Sequence, residues 1–315
     1  MRELFHLEPI YKSFVWAGRK LIDEFGLDQS LDKIGTIYCA IAIPGDLDSV
    51  VRETNEPLSQ FYANHPEAFG CNEPEFPVRM TITCNEGFQS YQSHPDDAYA
   101  LEHDGCRGKV SGAVALRESD HVGTWLFGHK ASSREEFRAL IDAKDWDNLF
   151  SVLEVKDGDF VHTPAGVIHG GWGSGIVSAT FGTNGDLTYR FYDNDRNDPN
   201  RPLEIEKVCD CASFPELPFC SKHVEPVKMD DILRYDYYDV DGEYVAKKFK
   251  VNGSGSYSYD GFLIVTCADG SGAIANEPIA KGETILIPCN YGTFELKGSM
   301  ELIAISYNEK NGDKA

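Results

Sequence analysis

"GDFVHTP" (158–164) and "GETILIP" (282–288) match in glycine, acid, apolar strand and proline, and lie 124 residues apart. A Gly-acid turn, a short strand and a proline before the next turn recur in small β-barrels and jelly rolls. Each copy sits in a strand-rich neighbourhood. "TIYCAIAIP" (36–44), "VRMTITC" (78–84), "GKVSGAVAL" (108–116), "GIVSATF" (175–181) and "LTYRFYD" (187–193) are rich in β-branched and aromatic residues and bounded by Gly, Asp, Asn or Pro. Helical patterning is confined to insertions. "EPLSQFYAN" (56–64) follows Asn55, a cap residue, and "LEIEKVCDCA" (203–212) forms a short helical stretch. In "SSREEFRALIDA", Ser133 and Glu136 make a capping-box pattern ahead of an apolar stripe, Phe137, Leu140 and Ile141. The expectation is a mainly β chain of two jelly-roll barrels with a small helical insertion. The proline-rich "FPELPFCSKHVEP" (214–226) places the boundary so that residues 1–220 form one unit and 221–315 the other. Continuing the register, His169 of the first copy falls opposite Thr293 of the second, so chemistry is expected in the first barrel only.

The bulk composition narrows the partners. A formal net charge of −22 over 315 residues argues against nucleic acid or an anionic membrane surface. No apolar run approaches the ~18 residues that span a bilayer. Nine cysteines, an odd number scattered through apolar segments, suit reduced thiols in a cytoplasmic protein. A phosphorylated ligand would meet a repulsive overall field and would need local Lys or Arg.

In "YQSHPDD" (91–97), Gln92 and His94 alternate with Ser93 and so point to one side of a strand. With His169 at the end of "GDFVHTPAGVIH" they supply three neutral donors for a divalent metal; taken alone, they read as hydrogen-bonded barrel residues. His162 and His103 are further donors, each also read as a surface or hydrogen-bonding histidine. Arg190 in "LTYRFYD" pairs with Asp193 or Asp195, or holds a ligand in its planar fork. The group Cys209, Cys211, Cys220 and His223 has the spacing C-x-C-x8-C-x2-H, which is not a usual zinc pattern, and buried free thiols are the default reading.

"QSHPDD" and "GDFVHTPAGVIH" resemble the two sequence motifs of the cupin superfamily. More narrowly, "PIYKSFVWAGRKLIDEFG", "QSHPDDAYAL", "GDFVHTPAGVIHG" and "DLTYRFYDNDR" occur in the order and spacing of type I mannose-6-phosphate isomerases, with a likeness that runs over nearly the whole chain. The resemblance implies two cupin-like barrels and a zinc-dependent aldose–ketose isomerase. It also implies a ligand set of Gln, His, Glu and His, which falls on Gln92, His94, Ser111 and His169. The family's Gly-Lys-Thr-Glu is here Gly108-Lys109-Val110-Ser111, so the lysine is kept and the glutamate is not. Its Gly-Glu-Cys-Trp and Glu-Thr-Gln-Gln segments become Gly35-Thr36-Ile37-Tyr38 and Thr180-Phe181-Gly182-Thr183. Three inward-facing glutamates are therefore Thr36, Ser111 and Thr180.

The resemblance implies interconversion of mannose 6-phosphate and fructose 6-phosphate through an enediolate. Gln92, His94 and His169 would hold Zn2+, while Lys109 and Arg190 handle the phosphate or the enediolate. The lost glutamates keep a second reading open, a cupin that binds a sugar without catalysis or with a shifted substrate. Whether a shifted acid, such as Glu102, Glu118 or Asp97, folds back to serve the pocket is left open by the sequence.

Overall fold

The computed structural model describes residues 3–116, 123–173 and 175–309. Among these, the strands form three sheets. A five-stranded front sheet runs in the order Phe150–Val155, Gly123–His129, His169–Trp172, Phe88–Ser93, Tyr189–Tyr192. A six-stranded back sheet faces it: Phe160–Thr163, Ser111–Ala115, Val177–Thr183, Val78–Cys84, Thr36–Ala40, Ile10–Lys12. The third sheet is built mainly from residues 227–306 and has its own apolar core around Phe249, Leu263, Ile285 and Leu302. The chain is mainly β with a jelly-roll arrangement, as expected.

The two copies of the opening echo are the same turn. Asp159 N–H donates to Lys156 O and Glu283 N–H to Ala280 O, with the glycine third in each turn at φ 80° and 92°. That is the position where a type II turn needs a positive φ. Each acid then accepts from the main-chain N–H three residues earlier, Asp159 from Lys156 at 3.0 Å and Glu283 from Ala280 at 2.7 Å. The strands Phe160–Thr163 and Thr284–Ile287 follow.

Strand alternation separates core from cavity. In Val78–Cys84, residues Val78, Met80, Ile82 and Cys84 enter the large apolar core, while Arg79, Thr81 and Thr83 face the other way into a cavity. Val177, Ala179 and Phe181 likewise pack inward, leaving Ser178 and Thr180 on the cavity side. This is the period-two pattern of a strand with a different neighbour on each face.

Two helix readings separate. The helix Arg134–Asp142 is capped by Ser133, whose hydroxyl accepts from Glu136 N–H at 3.2 Å, and it buries Phe137 and Ile141. Such a cap contributes about 1 kcal/mol. Asn55 is no cap. It takes φ 59° in a turn, Glu56–Pro57 form a short strand, and the helix begins only at Leu58. Proline at the last position before the helix supplies the extended entry that Asn55 was expected to give.

The 214–226 segment runs over the first barrel, where Glu216 meets His129. Its carboxylate accepts from the His129 main-chain N–H, which lowers its pKa, but burial dominates and pushes it up to about 7 from 4.5. Between those values the folded chain holds a proton that the unfolded chain has released. Stability contributed by this group therefore falls as pH rises through that window. Glu216→Gln is expected to raise the melting temperature more at pH 8 than at pH 5, measured by thermal denaturation. An equal shift at both values would remove the buried carboxyl as its cause.

Candidate functional site

A cavity of about 880 Å³ lies between the front and back sheets. Gln92, His94, Lys109, Ser111, His169 and Arg190 all line it, and so do Thr36 and Thr180. The front sheet supplies three of them in one row: Gln92 is the register partner of His169 on one side and of Arg190 on the other. Directly opposed residues in antiparallel strands project to the same face, so one row delivers an imidazole, a carboxamide and a guanidinium together. Gly170 at φ 133° allows the irregular step after His169, where any Cβ would lie 2.3 Å from Ser90 O.

Each histidine is oriented by a main-chain carbonyl. His94 Nδ1 lies 2.8 Å from Leu187 O, and His169 Nδ1 lies 3.1 Å from Val167 O. A carbonyl only accepts, so both Nδ1 atoms carry the proton and both Nε2 atoms are left as lone pairs. The rings are 5.1 Å apart between centroids, and the Gln92 amide nitrogen is 3.5 Å from His169 Nε2. Burial lowers both imidazoles, His169 to about 4 and His94 well below its ordinary value, so both are neutral near pH 7. Two oriented imidazoles beside a carboxamide suit a divalent metal, though without the charge a carboxylate would add. Among the described residues no group of three His, Cys, Asp or Glu side chains converges, in this cavity or elsewhere, so the third donor here is the Gln92 carboxamide.

The back sheet forms a floor of hydroxyls in registered rows. Thr36, Thr83 and Ser178 make one row, and Tyr38, Thr81, Thr180 and Ala113 the next. The third row runs Arg79, Gly182, Ser111 and Thr163. Ser111 and Thr180, which stand where the resemblance places glutamates, are thus part of a surface that is neutral apart from Arg79, and Thr36 Oγ1 sits 3.5 Å from Thr83 Oγ1.

Lys109 lies at the deep end, 8% exposed. Burial and the neighbouring Arg79 bring its amine down to about 7, against a smaller upward pull from Asp186. Arg190 is also buried, and its guanidinium donates to Pro202 O at 3.1 Å, with burial and Arg201 lowering its pKa. It pairs with neither expected acid: Asp193 accepts from the Arg196 main chain, and Asp195 pairs with Lys144. Arg196 and Arg201 line the same end of the cavity.

Other candidates lie elsewhere. His162 faces away from the cavity, against Tyr244 and Tyr238, because it is one residue out of phase with Thr163. His103 packs on Tyr99 in the helix Asp97–Asp104. Glu102 is exposed on that helix, Asp97 accepts from Gly108 N–H at 2.9 Å, and Glu118 lies outside the described residues. Cys209 is buried in the core under the front sheet, Cys220 is exposed, and His223 pairs with Asp159 at 3.1 Å. Four acids line the cavity, Asp186, Asp193, Asp198 and Glu204, and of these Asp186 is bound to Arg79 and to the Tyr38 hydroxyl. Sequence reasoning passed over both Arg79 and Asp186. The available signal was an arginine in phase with Thr81 and Thr83, and an aspartate at the head of the quoted "DLTYRFYDNDR".

Comparison with known proteins accounts for this arrangement. The family model "Mannose-6-phosphate isomerase, cupin domain" matches residues 242–308. The Bacillus subtilis protein named "Probable mannose-6-phosphate isomerase GmuF" is 32% identical over 313 residues, covering 94% of this chain and 97% of that one. The mannose-6-phosphate isomerase of Streptococcus mutans is 30% identical over 324 residues, covering 98% and 100%. The crystal structure of the mannose 6-phosphate isomerase from Bacillus subtilis matches with a TM-score of 0.86 at 27% identity, over 96% of this chain and 99% of that one. The apo phosphomannose isomerase from Salmonella typhimurium shares the fold, with a TM-score of 0.74 at 14% identity over 98% and 100%. The sheets, the cavity and the full-length similarity lead to one assignment: this chain belongs to the mannose-6-phosphate isomerase family of the cupin superfamily.

Proposed function

We propose that the chain is a metal-assisted aldose–ketose isomerase acting on mannose 6-phosphate and fructose 6-phosphate. The observation that carries this reading is the registered row His169–Gln92–Arg190 facing Lys109 across one cavity. Residues 1–220 carry the chemistry and residues 221–315 serve as a structural unit, whose sheet the strand Phe5–Glu8 joins between Thr284–Ile287 and Val50–Val51.

Gln92, His94 and His169 would hold a zinc ion, which when bound supplies Lewis-acid stabilisation of negative charge on a sugar oxygen. The chain's own residues do the rest. The carbonyls of Leu187 and Val167 fix the two imidazoles so that neither swings away. Lys109, present in both protonation states near neutral pH, is the group suited to carry a proton between C1 and C2. Arg190, with Arg196 and Arg201 near it and Asp193, Asp198 and Glu204 also lining the cavity, would hold the phosphate in its planar fork. The hydroxyl floor favours the alternative of a shifted sugar substrate, since it contacts sugar hydroxyls without charge.

Arg190→Met is expected to lower kcat/KM for mannose 6-phosphate roughly 100-fold, through KM, in a coupled assay. No turnover by folded wild-type protein at saturating zinc would overturn the isomerase reading. Ser111→Glu returns a carboxylate to the position beside the donors. Zinc affinity, measured by competition with a chromogenic chelator, is expected to rise at least tenfold (about 1.4 kcal/mol). Unchanged affinity would show that Ser111 does not face the metal.

A further inference from the structure

The cavity floor runs further than one sugar ring covers. Its three rows follow the strand Val78–Cys84 at Arg79, Thr81 and Thr83. Successive rows are two residues apart, so about 13 Å of floor separates Arg79 from Thr83. His94 stands at the Arg79 end, where both Lys109 and Arg79 act on its imidazole. A single pyranose ring with C1 and C2 at Lys109 and its phosphate at Arg190 leaves the outer row, Thr36–Thr83–Ser178, uncovered.

That outer row has hydrogen-bonding capacity to spare. Thr83 Oγ1 lies 3.4 Å from Thr81 Oγ1 and 3.5 Å from Thr36 Oγ1, and Ser178 Oγ is 3.4 Å from Thr83 O. All three contacts are long for a hydroxyl, whose usual hydrogen bond is about 2.8 Å. Gln89 lines the same end of the cavity from the front sheet, half-buried. Its Oε1 accepts from Asn85 Nδ2 at 2.7 Å, and among the described residues its amide nitrogen has no hydrogen-bond partner. The side wall is apolar. Trp16 stacks on Phe14 at 4.7 Å between centroids, and a Cβ at Gly35 would lie 2.5 Å from Trp16 Cζ3, which sets the indole beside Thr36. Val15, between the two aromatics in the chain, lines the cavity at 60% exposure. Hydroxyls below, an open amide donor opposite and an aromatic wall suit a hexose, whose edge carries hydroxyls and whose faces present C–H groups.

We propose that Thr83, Ser178, Gln89 and Trp16 form a second sugar-ring subsite, so that the cavity takes a 4-linked disaccharide with its reducing end at His94 and His169. The inference rests on the reading of this cavity as a sugar site and names what lies beyond the first ring. Ring geometry sets the linkage. C1 and C4 are opposite corners of a pyranose, so a ring with C1 at Lys109 points O4 along the strands towards the outer row, while C6 turns aside to Arg190. An equatorial link at O4 carries the second ring straight on. A 6-linked ring would lie instead among Arg190, Arg196 and Arg201.

The test is titration calorimetry on the full chain with zinc in excess, using mannose, mannose 6-phosphate, 4-O-β-mannosylmannose and 6-O-β-mannosylmannose. The 4-linked disaccharide is expected to bind at least about tenfold more tightly than mannose, and the 6-linked one within about threefold of mannose. Thr83→Val keeps the side-chain shape, removes the hydroxyl and should bring the 4-linked ratio below about threefold. Gln89→Ala should do the same, with circular dichroism reporting that each variant folds. A 4-linked disaccharide no tighter than mannose overturns the inference, and mannose 6-phosphate binding in the same series leaves the isomerase reading standing. Equal gains for the two linkages also overturn it, because the second ring then has no fixed direction. So does an equal loss of mannose and the 4-linked disaccharide in Gln89→Ala, with the ratio kept, which places Gln89 on the first ring. If mannose 6-phosphate binds no more tightly than mannose while the 4-linked disaccharide does, the phosphate reading fails and the second subsite stands.

Discussion

The site depends on the antiparallel register that sets Gln92 between His169 and Arg190. A slip of one residue in the strand Phe88–Ser93 would send Gln92 into the aromatic layer that holds Tyr91, and bring Tyr91 into the cavity. That layer is what forbids the slip. Tyr91 packs with Phe150, Trp146 and Phe191 at centroid distances of 4.6, 5.1 and 5.8 Å. Aromatic packing on one face of the sheet therefore fixes polar chemistry on the other.

The same division of faces explains how the cavity tolerates its charges. An apolar core behind the back sheet holds the strands flat against the cavity, and the floor answers with hydroxyls that can donate or accept as a ligand requires. With threonine and serine along the floor, the acid that answers Arg79 and acts on Lys109 is Asp186. The overall charge of −22 gives no relief, because most of those acids are on the solvent side and screened. In the cavity lining, five basic side chains meet four acidic ones, and a ligand there responds to that near balance rather than to the global charge.

Much of this was legible in the sequence where the determinants are short-range. The repeated Gly-acid turn predicted the two strands after it because a hydrogen bond across three residues and one positive φ define it. The alternation of Gln92 with His94, the end of "GVIH" and the phase of Arg190 located the lining residues, since strand phase is a local property. What escaped was set by partners far along the chain. Arg79 and Asp186 are 107 residues apart and meet only through the folded sheets. His162 looked like a spare ligand until its phase, opposite to Thr163, turned it towards Tyr238 and Tyr244. Asn55 carried a valid cap signal, but the short strand at Glu56–Pro57 displaced the helix start.

The strand Phe5–Glu8 pairs Phe5 with Leu286 and Leu7 with Thr284, inside a sheet otherwise built largely from the last quarter of the chain. During synthesis on a ribosome, that strand leaves the exit tunnel long before its partner exists. The strand Phe5–Glu8 must wait with one side unpaired until Thr284–Ile287 is made. Closure of the molecule is thus a late event with a large loop-entropy cost, and a chain of this topology is expected to fold slowly for its size. One of the last strands to be translated completes the pairing of the first.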